Sequence, residues 1–160
     1  MITVRVTTLI HAPIQRVFDL SRSIDAHQQS TSNTGEQAIA GVTTGLIGMG
    51  ESVTWRARHF FFWQTLTSRI TAFDPPHFFQ DTMSRGAFKS LQHDHSFKES
   101  GPGTTQVLDD LRFQAPFPTL GPLAEILVLR RYMRHFLMLR NSALKDIAES
   151  DKWRQYLPGE

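Results

Sequence analysis

LRFQAPFPTLGPLAEILVLRRYMRHFLMLR, residues 111–140, contains the change of period on which the fold turns. Up to Gln114 the apolar residues fall on every second position (Leu111, Phe113), as in a strand with one buried face. After Ala115-Pro116-Phe117-Pro118 they fall on every third or fourth: Leu123, Ile126, Leu127, Met133, Phe136 and Leu137, then Leu144, Ile147 and Ala148. That spacing gathers them on one side of a helix. The segment from about Leu120 to Glu149 is therefore predicted to be one continuous helix, roughly 40–45 Å long at about 1.5 Å per residue. Leu123, Ile126, Leu127, Met133 and Leu137 should face inward. Arg131, Arg134 and Lys145 should face outward or toward an edge.

Upstream of this segment, from Glu36 to Gln114, helical spacing is almost absent. Six β-rich runs stand between turn signals: Gln37–Val42, Glu51–Phe60, Phe61–Phe73, Phe78–Met83, Phe88–Glu99 and Thr104–Gln114. Gly45, Gly48 and Gly50, then Asp74-Pro75-Pro76, then Gly101-Pro102-Gly103 supply the breaks. Links this short predict an antiparallel meander. Before it, Ile2, Val4 and Val6 alternate with Thr3, Arg5 and Thr7 as one more strand. Pro13 suits the first turn of a helix, where its missing N–H costs nothing. A second short helix is expected over Asp25–Gln29, followed by a polar loop, QQSTSNTG (28–35). A meander this long should curl into a half-barrel, with the C-terminal helix covering its open face.

The chain has 160 residues, 40% hydrophobic and 20% charged, which predicts one globular domain over 1–149 and a loose polar tail over 150–160. There is no cysteine, so disulfides, thiolate nucleophiles and zinc fingers are excluded. The N-terminal stretch lacks the apolar core of a signal peptide, and no apolar run reaches membrane-spanning length. The expectation is a cytoplasmic protein with no membrane span. Lys and Arg exceed Asp and Glu by only 17 to 15. The one dense basic cluster, Arg130, Arg131, Arg134 and Arg140, reads as a solvated helix face, and nucleic acid is not expected as a partner.

The order of elements resembles the helix-grip fold of the START-like (SRPBCC) superfamily. That group includes the major birch-pollen allergen, lipid-transfer START domains and bacterial polyketide cyclases/dehydrases. The resemblance is carried by Thr7–Ile10 leading into His11-Ala12-Pro13 and Val17-Phe18-Asp19-Leu20. Four internal segments add to it: GVTTGLIGMGESVTWRARHF (41–60), LTSRIT (66–71), FKSLQHDHSF (88–97) and RRYMRHFLMLRN (130–141). They are similar to a bacterial ligand-binding, cyclase/dehydrase-like subgroup. The resemblance spans residues 2 to about 149. It implies an α+β fold: a strand, two short helices, a six-stranded meander and a long helix closing a cavity. No catalytic motif of the characterised aromatases stands in these residues, and the scaffold alone does not specify an activity.

In such a fold, alternation sorts the side chains that reach the cavity. Val53, Trp55 and Ala57 should point inward with Glu51 and His59. Leu66 and Ile70 should do so with Gln64 and Ser68, and Phe79 and Met83 with Asp81. Leu91 and Phe97 should carry His93 and His95 inward, and Val107, Leu111 and Phe113 should carry Asp109. A β-bulge would flip any of these assignments. The result is an apolar, aromatic cavity with a few titratable groups, the make-up of a small-molecule site. Trp55, His59, Leu66, Phe79, Asp81, Met83, Phe97, Asp109, Phe113 and Leu127 are its expected ligand contacts. His93 and His95 share a face, so with Glu51 or Asp109 either could form a His–carboxylate couple for acid–base work. The pair could also be structural, or supply two ligands of a metal site, for which a further converging group is needed. No metal or cofactor is assigned. Ser68, Ser90 and Ser96 lack a nucleophile-elbow motif, and the glycines at 45, 48 and 50 lack the ending of a phosphate-binding loop. The leading expectation is a carrier or sensor for an apolar or aromatic molecule, with a homodimer compatible. The alternative is a polyketide cyclase/dehydratase-type enzyme using a cavity His–carboxylate pair. The residues leave open whether a reaction is catalysed.

Overall fold

The computed structural model describes residues 1–59, 61–115, 122–157 and 159, with only the backbone described over 122–126. In chain order the elements are β1 (Ile2–Ile10), α1 (Ile14–Ser21), α2 (Ile24–Ser30), a 3-10 turn (Ser32–Thr34), β2 (Gln37–Gly41), β3 (Ser52–His59), β4 (Phe62–Asp74), β5 (Phe78–Arg85), β6 (Ser90–Glu99), β7 (Thr105–Gln114), α3 (Pro122–Glu149) and a final 3-10 helix (Asp151–Gln155). One seven-stranded antiparallel sheet runs β1-β7-β6-β5-β4-β3-β2. Strands β2 to β7 form the meander, and β1 joins its far edge beside β7, with Ile2 opposite Phe113 and Ile10 opposite Thr105. This is the helix-grip α+β architecture. Among the described residues no helix is long and apolar enough to cross a membrane.

Local sequence explains the elements. In β1 the side chains of Ile2, Val4, Val6 and Ile10 are buried on one face. Pro13 precedes α1 as its cap, and Ser23 caps α2 by accepting a bond from the Ala26 N–H at 3.2 Å. Gly41 lies at φ 76°, where a Cβ would come within 2.1 Å of the Ser52 carbonyl oxygen, so this position demands glycine. The β4–β5 pairing is irregular twice: between Thr67 and Ser68 the extra residue is Ser84 on β5, and between Ile70 and Ala72 it is Thr71 on β4. The second ends the even-numbered inward set of Ser68 and Ile70 and brings Phe73 against Phe18, ring centroids 5.6 Å apart. Strands β5, β6 and β7 pair with each other without a bulge, so their alternation holds along the paired length.

Helix α3 covers the inward face of the sheet. It begins at Pro122, a favourable first helical residue, and runs unbroken to Glu149. Its inner stripe passes through Met133, Leu137, Arg140, Asn141, Leu144, Ile147 and Ala148, at three- and four-residue steps. Leu127 lies off this stripe and is 57% exposed, which corrects its expected inward position. Leu129 takes the inward place instead. Leu123 and Ile126 lie outside the described side chains. Arg140, expected on the solvated face, is buried at 6% exposure, whereas Arg130, Arg131 and Arg134 are exposed.

Among the described residues the core has two apolar clusters. Around Phe18 the rings of Phe73, Phe79 and Phe97 meet at centroid distances of 5.4–5.8 Å. Burial of each such side chain stabilises by about 1.5–3 kcal/mol. The second cluster joins Ile2, Val4 and Val6 to Leu91, Leu111, Phe113 and Leu137. The C-terminal segment is not the loose tail expected. Trp153 and Leu157 are buried in the first cluster, and the Arg16 guanidinium lies 4.1 Å from the centroid of the Trp153 ring.

Candidate functional site

Among the described residues, two adjoining cavities lie between α3 and the sheet. The inner one, about 120 Å³, reaches from Arg22 and Ile47 to Asp81, His93, His95 and Arg140. The outer one, about 280 Å³, is walled by Ala57, His59, Gln64, Phe88, Leu129 and Tyr132 among others. They share Glu36, Trp55, Leu66, Leu91, Met133 and Phe136, so they lie side by side. Apolar surface dominates both cavities.

Apart from Arg22, the titratable groups in the walls form two sets. At the junction, Glu36 stands 3.4 Å from His27 Nε2, and the His27 ring stacks on Trp55 at a centroid distance of 4.3 Å. Burial works against the charged Glu36, but His27 outweighs it and holds the carboxyl below its ordinary range. Nearby, His59 Nδ1 and the Tyr132 hydroxyl are 2.6 Å apart. Burial lowers the pKa of His59, and burial together with the Glu36 charge raises that of Tyr132.

The second set is a polar layer between the two apolar clusters. Along β6 the inward residues run Leu91, His93, His95, Phe97, and along β7 they run Val107, Asp109, Leu111. Asp81 comes from β5, directly opposite His93. The imidazoles of His93 and His95 lie 3.8 Å apart, and Phe79 stacks on His95 at 4.2 Å. Asp109 is fully buried, and its Oδ1 is 2.9 Å from both His93 Nε2 and His95 Nδ1. Neither of those two nitrogens is aligned for a hydrogen bond. His95 Nε2 does bond Asp81 Oδ2, at 3.1 Å, and His93 Nδ1 is 4.0 Å from the same oxygen. From α3, Asn141 donates to Asp109 Oδ2 at 2.7 Å, and Arg140 approaches Oδ1 at 3.5 Å.

Charge is conserved in this layer by mutual contact. Burial penalises an ionised Asp109, but His93 and His95 outweigh it and hold the carboxyl well below the usual range. Asp81 is lowered in the same way through His95. Burial opposes a charged His95, yet its contacts with Asp109 and Asp81 raise it overall. His93 is lowered, first by burial and then by the neighbouring imidazole.

Of the sequence-derived candidates, Trp55, His59, Leu66, Phe79, Asp81, His93 and His95 line the cavities. Asp109 sits behind the two histidines. Met83, Phe97 and Phe113 pack into the apolar clusters instead of the cavity wall. Glu51 is displaced altogether: β3 begins only at Ser52, and the Glu51 carboxylate is exposed and accepts the Gly48 N–H at 2.7 Å. The partner expected from Glu51 is supplied by Asp81 together with Asp109. Glu36, His27, Tyr132, Arg140 and Asn141 were not anticipated. A signal for the last two existed: they stand where an apolar residue would continue the stripe from Leu137 to Leu144. Glu36, in a polar loop, left none.

The architecture is a START-like, helix-grip fold. Solved structures share it. A protein from Thermus thermophilus is 18% identical, with a TM-score of 0.74 over 90% of this chain and 94% of its own. A START superfamily protein from Mycobacterium smegmatis is 14% identical, with a TM-score of 0.71 over 92% and 97%. The Zhui aromatase/cyclase from a Streptomyces species is 15% identical, with a TM-score of 0.72 over 98% and 96%. No family model and no curated protein sequence matches the chain. At these identities the likeness concerns the fold.

Proposed function

We propose that the protein holds an apolar or aromatic small molecule between α3 and the sheet, as a carrier or sensor. The observation that carries this is the pair of adjoining cavities. A close-packed core leaves few voids larger than one water, which needs roughly 10–15 Å³. The outer cavity alone is about 280 Å³ and carries an aromatic wall. Glu36, His59 and Tyr132 are the sparse polar groups that would fix a ligand's orientation. The test is native mass spectrometry of the protein purified from its own host, with uptake of an environment-sensitive apolar dye. A stoichiometric adduct that the dye competes with supports the reading. Absence of both adduct and saturable dye uptake overturns it.

A second reading is a cyclase or dehydratase in which His93 or His95 moves a proton. It is favoured by both imidazoles lining the inner cavity with carboxylates beside them. The shared fold of an aromatase/cyclase is consistent with it. Under this reading His93→Gln loses turnover of a polyketide-like substrate while ligand affinity persists.

A further inference from the structure

We propose that Asp81, His93 and His95 form a binding site for one divalent transition-metal ion, with Zn²⁺ as the ion that fits. The three offer one ligand atom each, all within 4.8 Å of one another, and they are the one such group among the described residues. Zn²⁺ binds imidazole and carboxylate at about 2.0–2.2 Å. A tetrahedral centre of that size places neighbouring ligand atoms about 3.3–3.6 Å apart. His95 Nε2 and Asp81 Oδ2 are already 3.1 Å apart, and His93 Nδ1 stands 4.0 Å from the same oxygen. Two nitrogens and one oxygen suit a borderline ion such as Zn²⁺ over Mg²⁺ or Ca²⁺, which prefer all-oxygen shells.

The surroundings are those a metal site requires. A ligating imidazole normally gives its other N–H to a carboxylate, which fixes the ring. Here each ring turns one nitrogen toward Asp81 and the other toward the same Asp109 oxygen, at 2.9 Å. Asp109 is held in turn by Asn141. His93 Nε2 and His95 Nδ1 are within 2.9 Å of Asp109 Oδ1 but not aligned for a hydrogen bond, so a small rotation of each ring is what would complete the contact behind the ligands. Three protein ligands leave a fourth position, and all three line the inner cavity. The ligand taken there would be an anionic oxygen: hydroxide, a carboxylate or an enolate. This inference stands apart from the apolar ligand and needs none to be bound.

The test uses chelator-stripped full-length protein titrated with Co²⁺ and Zn²⁺ alone. One Co²⁺ per chain should bind with intense visible ligand-field bands, and one equivalent of Zn²⁺ should displace it. Asp81→Asn and His93→Gln should abolish these bands. His135→Gln, an exposed histidine on α3, should keep them. Asp109→Asn should weaken Zn²⁺ affinity by about 10–100-fold, the effect of losing the carboxylate behind a ligand. No stoichiometric uptake, bands unchanged in Asp81→Asn, or bands lost in His135→Gln would overturn the site. If the Asp81 and His93 variants fail to fold, zinc-edge X-ray absorption of the wild-type protein decides. A shell with two imidazoles supports the proposal, and one with none or more than two defeats it.

Discussion

Asp109 is where a single residue holds the most in place. It is fully buried, ionised, and in contact with His93, His95, Arg140 and Asn141. Removing one member of such a group strands the opposite charge, so Asp109→Ala should cost about 3–5 kcal/mol. Replacing both partners by apolar residues, as in Asp109→Leu with Arg140→Met, should cost less than the single change. Urea denaturation of the three proteins checks the order. Glu36 gives a pH-dependent counterpart. Its folded pKa lies below the ordinary 4.5, so its contribution is complete above that value and is lost as pH falls through the lower folded value. The stability gap between wild type and Glu36→Gln should therefore shrink from pH 7 to pH 3. A gap that is constant or widens in acid would refute the sign. Alternation alone placed Asp81, His93 and His95 on one face, because β5 to β7 carry no bulge in their pairing. Glu51 was misplaced because period two says nothing about where a strand begins.

At the scale of elements, α3 shows what a helical stripe reveals. Met133, Leu137, Leu144 and Ile147 set its inner face, and the polar Arg140 and Asn141 interrupt that face where β7 presents Asp109. Read from composition, Arg140 joined its arginine neighbours in solvent. The helical phase, measured from Leu137, places it inside. The final 3-10 helix was undervalued for the same reason. Its residues are mostly polar, but Trp153 and Leu157 are buried in the main cluster. Trp153→Ala should cost about 3–5 kcal/mol, as large aromatic truncations do in cores. Ending the chain at Ser150 should cost at least as much, read as a lower thermal midpoint. A truncated protein as stable as the full chain would mean that the segment packs without contributing.

For the whole molecule, the prediction concerns the space left between helix and sheet. Ala57 is buried on β3 and lines the outer cavity. Ala57→Leu should extend into that space, reduce uptake of an apolar dye, and leave stability unchanged or raised. In a filled core the same substitution costs about 1–3 kcal/mol. A clear loss of stability with dye uptake intact would therefore argue against an open cavity at this position. The fold class was determined by the sequence itself, because periods of two and 3.6 and the turn residues between them are local properties. Element order, the inward faces of β3, β5, β6 and β7, and the length of α3 follow from them. Which residues meet is not local. That Asp81 and Asp109 bracket two imidazoles, that Glu36 reaches the cavity from a loop, and that Trp153 closes the core depend on strand register, the two bulges in the β4–β5 pairing and the docking of α3. Those are set by the simultaneous burial of distant surfaces, and only the tertiary structure decides them.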